Sequence, residues 1–200
     1  MKKRKNIITV AIDSPAAAGA GTQAKLIAKH YNLYYLDTGK CYRYIGNLRL
    51  KNFKQFSYAY IKNKIRKLKM KDLKNKKLLE EEVAISASII SKDKKIRNIV
   101  RQFQKNCAYN PPKKYSGSVL DGRDIISVQV KDAMFKFFIT ASLKVRAKRR
   151  FEEYKNLNKK ITYKEVLKSL KIRDKSDIKR KHGPLKKTKD SILINTTKLS

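Results

Sequence analysis

Ile7-Ile-Thr-Val-Ala-Ile-Asp-Ser-Pro-Ala-Ala-Ala-Gly-Ala-Gly-Thr22, continued by Gln-Ala-Lys-Leu-Ile-Ala-Lys-His30, is the stretch around which the chain is organised. Ile7 to Ile12 are largely apolar and β-branched, as in a strand buried on both faces. The small residues from Ser14 to Gly21 make a tight loop, and Leu26 and Ile27 open a helix. A loop in this setting cradles phosphate, because successive backbone N–H groups and the positive end of the helix dipole converge on one anion. The usual spacing, G-x-x-x-x-G-K-[ST], adds a lysine that reaches the terminal phosphates. Here Ser14 takes the first position and Ala20 takes the lysine position. The backbone half of a phosphate site is present and its side-chain charge is missing. Strings of Ala and Gly also fill plain strand–helix turns, so this loop alone leaves both possibilities open.

The 200-residue length suits one α/β domain with a substantial core and room for inserted subdomains. A net charge of +35, from 51 basic and 16 acidic residues, first suggests a polyanionic partner. Lysine far exceeds arginine, however, and Ile, Asn and Tyr are abundant, as an AT-rich coding sequence would favour. No basic motif interleaved with aromatics stands out, so a nucleic-acid surface is not expected. The field would in either case draw in anionic substrates in a salt-dependent manner. Cys41 and Cys107 have neither metal-ligand spacing nor a disulfide framework, as for reduced thiols in a cytoplasmic protein. Lys2 to Lys5 followed by Ile7 to Ile12 imitates a signal peptide, but the apolar run is short and Asp13 ends it. No stretch approaches the roughly 20 apolar residues of a membrane span. A soluble cytoplasmic protein, without a membrane partner, is expected.

Further strands are expected at Leu33 to Leu36, Ser118 to Leu120, Met134 to Ile139 and Ser191 to Ile194. Asp37-Thr38-Gly39 offers a helix N-cap. Residues 51–106 read as helical, with Phe53, Phe56, Tyr60, Ile61, Ile65 and Leu68 and then Ile96, Ile99, Val100 and Phe103 in helical spacing. Lys67 to Lys77, between them, looks too charged for a core. Thr162-x-x-Glu165 is a capping box before Val166, Leu167 and Leu170. Apolar strands alternating with helices predict an α/β fold, a parallel sheet with helices on both faces. The expected division is a core of residues 1–50, 107–148 and 184–200, an insert at 51–106 and a lid at 149–183.

In such a sheet, ligands gather beyond the carboxyl ends of the strands. Asp13, Asp37, Thr38 and the Asp121-Gly-Arg-Asp124 run stand there. Arg43, Arg123, Arg149, Arg150, Arg173 and Arg180 fall beside these ends or in the segment that follows. Arginine grips phosphate through a planar bidentate fork that lysine lacks. Each taken singly reads as a surface residue, but the joint placement fits a phosphate-rich site. Arg173, Asp177 and Arg180, spaced by four and three, share one helical face. Such a trio is either an intrahelical salt bridge or a lid that presents two guanidiniums to a phosphoryl group.

Asp13-Ser-Pro-Ala-Ala-Ala-Gly-Ala-Gly-Thr22, Leu36-Asp-Thr-Gly39, Tyr42-Arg43, Leu120-Asp-Gly-Arg-Asp124, Asp132-Ala133, Arg146-x-x-Arg149-Arg150, Arg173-x3-Asp177-x2-Arg180 and Asn195-Thr-x3-Ser200 occur in the order seen in bacterial cytidylate kinases. The resemblance covers nearly the whole chain. It implies a P-loop nucleoside monophosphate kinase core with a nucleotide-binding insert and a lid. It implies that Ser14, Pro15, Ala16, Ala17, Ala18, Gly19, Ala20, Gly21 and Thr22 cradle ATP, whose Mg²⁺ bridges the β- and γ-oxygens, with no protein metal site. Thr38, Tyr42, Arg43, Ser88, Arg123 and Asp132 would face cytidine monophosphate. Arg43 and Arg123 would hold its phosphate, and Ser88 and Asp132 would read the base. Arg173, Arg180 and Arg123 would be catalytic, and Asp177 would meet the ribose.

Three departures accompany the resemblance. The family has Gly-Lys-Gly-Thr where this chain has Gly19-Ala20-Gly21-Thr22, and losing one preorganised donor costs about 2.7–4 kcal/mol. Lys25 and Lys40 are candidate substitutes, although Lys25, five residues on, should be rotated well off the loop. The insert is shorter than the family's, and relatives continue beyond Ser200 into a final helix. The expected function is ATP-dependent phosphorylation of CMP and dCMP by a monomer. A non-catalytic nucleotide-binding relative and a basic nucleic-acid binder are the alternatives.

Overall fold

A computed structural model describes residues 7–158 and 160–199. Lys2 to Lys5 and Ser200 lie outside the described residues. Five strands, β1 (Ile8–Asp13), β2 (Leu33–Asp37), β3 (Gly117–Gly122), β4 (Phe135–Thr140) and β5 (Ile192–Asn195), form one sheet in the order β2-β3-β1-β4-β5. All neighbours pair in parallel, so every strand ends at the same edge. Crossover helices α1 (Ala20–His30), α2 (Thr38–Lys51), α5 (Lys94–Tyr109) and α6 (Leu143–Asn156) connect them. The α/β class read from the alternating apolar runs is the class observed.

Strand alternation sends successive side chains to opposite faces, and β1 shows it. Val10 and Ile12 join Ala24 and Ala28 of α1 in one apolar cluster, while Ala11 joins Ile45 and Val100 in the other. Helices therefore cover both faces. Asp37 caps α2 by accepting the Lys40 N–H, and Ser142 caps α6 by accepting that of Val145. The Thr162–Glu165 capping box begins α7 (Tyr163–Lys179), with both reciprocal bonds made.

Residues 51–106 hold α3 (Tyr58–Arg66), α4 (Glu81–Ile90) and three short 3-10 turns before α5. The Lys67 to Lys77 run departs from expectation. Leu68 and Leu73, with Leu78 just beyond, are buried in the cluster shared with Leu36 and Leu120 of the sheet. Turns at Asp72–Lys74 and Lys76–Leu79 aim the leucines inward while the lysines between them stay in water. Close approach of α4 to α2 needs Gly46, where a Cβ would come within 2.9 Å of the Ala87 nitrogen. The Ser86 hydroxyl donates to the Gly46 carbonyl across that contact (3.2 Å). Among the described residues no helix is long and apolar enough to cross a membrane.

Candidate active site

The loop from Ser14 to Gly19 leaves the central strand and turns into α1 through Gly19, which adopts φ +88°. Ala17 also takes a left-handed conformation, at φ +60°, an unusual backbone for a residue with a Cβ. Three bonds hold the loop from outside. The Ser14 N–H donates to the Gly122 carbonyl, Arg146 Nη1 donates to the Ala16 carbonyl and the Thr196 hydroxyl donates to the Ala18 carbonyl. With the Ala16 and Ala18 carbonyls engaged by these bonds, Gly19 to Thr22, at the start of α1, line the cavity beyond the strand ends.

Asp13, fully buried at the end of β1, fastens the second wall. Its carboxylate accepts the N–H groups of Ile125 (2.8 Å) and Ile126 (3.0 Å). Burial pushes its pKa up to about 7, against the pull of those two N–H donors. The tether fixes Asp121 to Asp124 beside the loop, at the outlet of β3.

A cavity of about 360 Å³ opens between the loop, the strand ends, α4 and α7, within the range of about 300–1,000 Å³ usual for small-molecule sites. Of the residues expected to hold ATP, Ser14, Pro15, Ala17, Ala18, Gly19, Ala20, Gly21 and Thr22 line it. Ala16 does not, since its methyl packs with Ala147, Val166 and Leu170 beneath α6 and α7. Thr38, Tyr42, Arg43, Ser88, Arg123, Arg173, Asp177 and Arg180 line it as well.

Asp132 stands apart and does not line the cavity. It is exposed, and its carboxylate accepts the Tyr109 hydroxyl. A π-helical turn over Ile125–Gln129 carries the chain away from the site before Asp132 is reached. Arg149 is also turned elsewhere, donating to the Thr196 hydroxyl (3.0 Å) and carbonyl (2.8 Å), whereas Arg150, one position on, lines the cavity.

Three guanidiniums from two segments, the outlet of β3 and the C-terminal end of α7, meet at Asp177. Its Oδ2 accepts Arg123 Nε at 3.1 Å and lies 3.8 Å from Arg173 Nε, while its Oδ1 accepts Arg180 Nη1 at 3.2 Å. Arg43 reaches the same cavity from α2, steadied by donation to the Leu78 carbonyl (2.8 Å). Burial, then the Arg123 charge, draws Arg173 down to about 10. Burial and the neighbouring Arg150 lower Arg43 as well. Cations crowded until they depress one another are stabilised by a bound anion.

Three buried polar atoms on the cavity-lining residues have no protein partner: the Tyr42 hydroxyl, Arg97 Nε and Asp121 Oδ1. Arg97 was not among the expected site residues. Only 1% exposed, it donates to Asp124 Oδ2 at 2.5 Å and to the Ser91 carbonyl at 3.1 Å, under the Tyr42 ring. An arginine among the many basic residues of an amphipathic helix carries no local mark of burial. Its partner Asp124 is buried as well, which the sequence does not show.

A cavity lined by both the Ser14–Thr22 loop and a group of arginines coincides with a family match. The model of the family described as cytidylate kinase matches residues 10–200. The chain belongs to the cytidylate kinase family. It is similar to a cytidylate kinase of Clostridium botulinum (strain Hall / ATCC 3502 / NCTC 13319 / Type A), 39% identical over 201 residues that cover 95% of this chain and 90% of that protein. It is 39% identical to a cytidylate kinase of Thermosipho melanesiensis, with 96% and 90% covered, and 40% identical to one of Bartonella tribocorum, with 96% and 87% covered. Ala20 therefore sits within a sequence that matches this family over almost its whole length.

Proposed function

We propose that the chain transfers the γ-phosphoryl group of ATP to CMP and dCMP, giving CDP or dCDP and ADP. The observation that carries this reading is the meeting of Arg123, Arg173 and Arg180 on Asp177, opposite the loop in one cavity with Arg43. Family membership makes it a phosphotransferase, and the relatives named cytidylate kinase supply the acceptor.

The chemistry asks for positioning and charge neutralisation rather than covalent catalysis. Loop amides from Ala17 to Thr22 would hold the phosphates of ATP. Arg43 and Arg123 would grip the acceptor phosphate, and Arg173 and Arg180 would cover the phosphoryl group in flight. Asp177 keeps three guanidiniums at fixed spacing, which is the preorganisation such a site requires. The base would meet Ser88, Ser91 and the Arg97–Asp124 pair, at the α4 side of the cavity. Asp132, placed elsewhere, is given no part in reading the base.

Among the described residues no group of three His, Cys, Asp or Glu side chains is placed to hold a metal. Mg²⁺ needs no such cage, since it binds through one or two protein oxygens, waters and substrate phosphates. Asp121 Oδ1, buried without a protein partner, and the Thr22 hydroxyl at the start of α1 fit that demand. Bound with ATP, the ion would supply charge neutralisation to the transferring phosphates.

In this reading residues 51–106 serve as the nucleotide-binding insert and residues 149–183 as the lid, and the enzyme works as a cytoplasmic monomer without nucleic acid. Chromatography of products from ATP with CMP, dCMP, UMP or AMP tests the proposal. CDP and dCDP should form fastest, and absence of any diphosphate product would refute it. The Arg123→Met variant should lose at least a hundredfold in turnover, as expected for loss of a transition-state donor.

A further inference from the structure

We infer that Lys25 supplies the phosphate-directed charge that Ala20 cannot, an inference that rests on the kinase reading above. Ala20 presents a methyl group, 4% exposed, where the loop would otherwise carry an ammonium. Counted from Ala20, a residue five positions on is turned well away, which is why the sequence argued against Lys25. The relevant neighbours are Gly21 and Thr22. Lys25 follows them by four and three residues and so stands on their face of α1. Helical side chains also lean toward the N-terminus, over the preceding turn, so the Lys25 stem runs back toward the loop. The structure bears this out, because Lys25 lines the same cavity as Gly19 to Thr22.

The arginines of that cavity each have a protein partner, Arg173 through its 3.8 Å approach to Asp177. Arg43 is bonded to the Leu78 carbonyl, Arg97 to Asp124, and Arg150 to Glu153; Arg123 and Arg180 are bonded to Asp177. Lys25 is exposed, and among the described residues no hydrogen bond or ion pair engages it. It is also the one basic residue of the lining that belongs to the loop and α1. Lys40, the other lysine near the strand ends, is not part of the lining.

The step needs no proton from Lys25. An oxygen of the CMP phosphate forms a bond to the γ-phosphorus, the bond between that phosphorus and the β–γ bridging oxygen breaks, and ADP leaves with the electron pair. Negative charge shifts toward the bridging and β-oxygens, which lie against the loop, and a flexible ammonium above Gly21 and Thr22 meets it there.

Steady-state ADP release with MgATP and CMP is measured for the wild type and for Lys25→Met, Lys25→Arg and Lys29→Met. ATP affinity is measured alongside by calorimetry. Lys25→Met should lower kcat by 30- to 300-fold with less than a fivefold change in the KM for CMP. Lys25→Arg, which keeps the charge, should stay closer to the wild type than Lys25→Met, and Lys29→Met should be unchanged. ATP should bind Lys25→Met no more than tenfold more weakly, since the charge acts chiefly on the transition state. A Lys25→Met enzyme within threefold of an active wild type, or a Lys25→Arg enzyme as slow as Lys25→Met, overturns the role of Lys25 and leaves the kinase reading standing. A wild type without turnover overturns the kinase reading itself, and the role of Lys25 with it.

Discussion

Replacing Arg97 by methionine isolates the buried ion pair beneath the site. The wild-type guanidinium is 1% exposed and bonds Asp124 Oδ2 at 2.5 Å. Methionine fills much of the stem volume but leaves Asp124 buried, with Gln129 Nε2 still donating at 3.0 Å and Arg180 Nη2 at 3.8 Å from Oδ1. Breaking a buried pair from one side costs about 3–5 kcal/mol. The nearby Arg180 offsets part of it, which points to the lower end, about 3 kcal/mol. With a urea m-value of about 2 kcal/mol/M, the unfolding midpoint should fall by about 1.5 M. The double variant Arg97→Met with Asp124→Asn should recover much of the loss, because no unpaired charge remains. Urea unfolding followed by circular dichroism reads all three proteins. A single-variant loss below 1 kcal/mol, or a double variant no more stable than the single, would refute the assignment of the pair as a buried, mutually dependent unit.

Asp13 sets a pH dependence. Its folded pKa, raised by burial to about 7 from an ordinary 3.8, means that folding takes up a proton between those values. This contribution is complete below about pH 4 and is lost as pH rises through 7, so urea midpoints should fall from pH 5 to pH 8, and Asp13→Asn should flatten the slope. Gly46→Ala forces a methyl to 2.9 Å from the Ala87 nitrogen and 3.0 Å from the Val83 carbonyl oxygen, both backbone atoms. Overpacking there should cost about 1–3 kcal/mol in urea unfolding and raise the KM for CMP, since α4 carries Ser88. Ala17→Gly relieves a left-handed backbone at φ +60° and should raise Tm by about 1–2 °C in calorimetry, the relief exceeding the extra freedom glycine gains on unfolding by roughly 0.5 kcal/mol.

Features encoded over a few residues were legible in the sequence. The β1–loop–α1 unit, the Asp37 cap, the Thr162–Glu165 box and the shared face of Arg173 and Asp177 all follow from local spacing, and each is present. What escaped was decided by pairing across long stretches. Arg97 is buried because Asp124, 27 residues away, needs a cation, and nothing in α5 announces it. Asp132 is near the Asp121-Gly-Arg-Asp124 run in sequence and distant from the site in space, because a π-helical turn lies between them. Lys25 is rotated away from Ala20 but shares a face of α1 with Gly21 and Thr22, so its place in the cavity lining does not show in a spacing counted from Ala20. The leucines at 68, 73 and 78 were hidden by the lysines around them, as a window of average charge cannot show which way a 3-10 turn points.

In the proposed reaction, arginines from separate segments act together on one phosphoryl group while Ala20 stands at the loop's lysine position. The most direct measurement is the rate of ADP release by the wild-type chain at saturating MgATP, with and without CMP. Turnover dependent on CMP, at about 1 s⁻¹ or faster as is usual for kinases, is the expected result. A rate that CMP does not raise above the ATP-only background would contradict it.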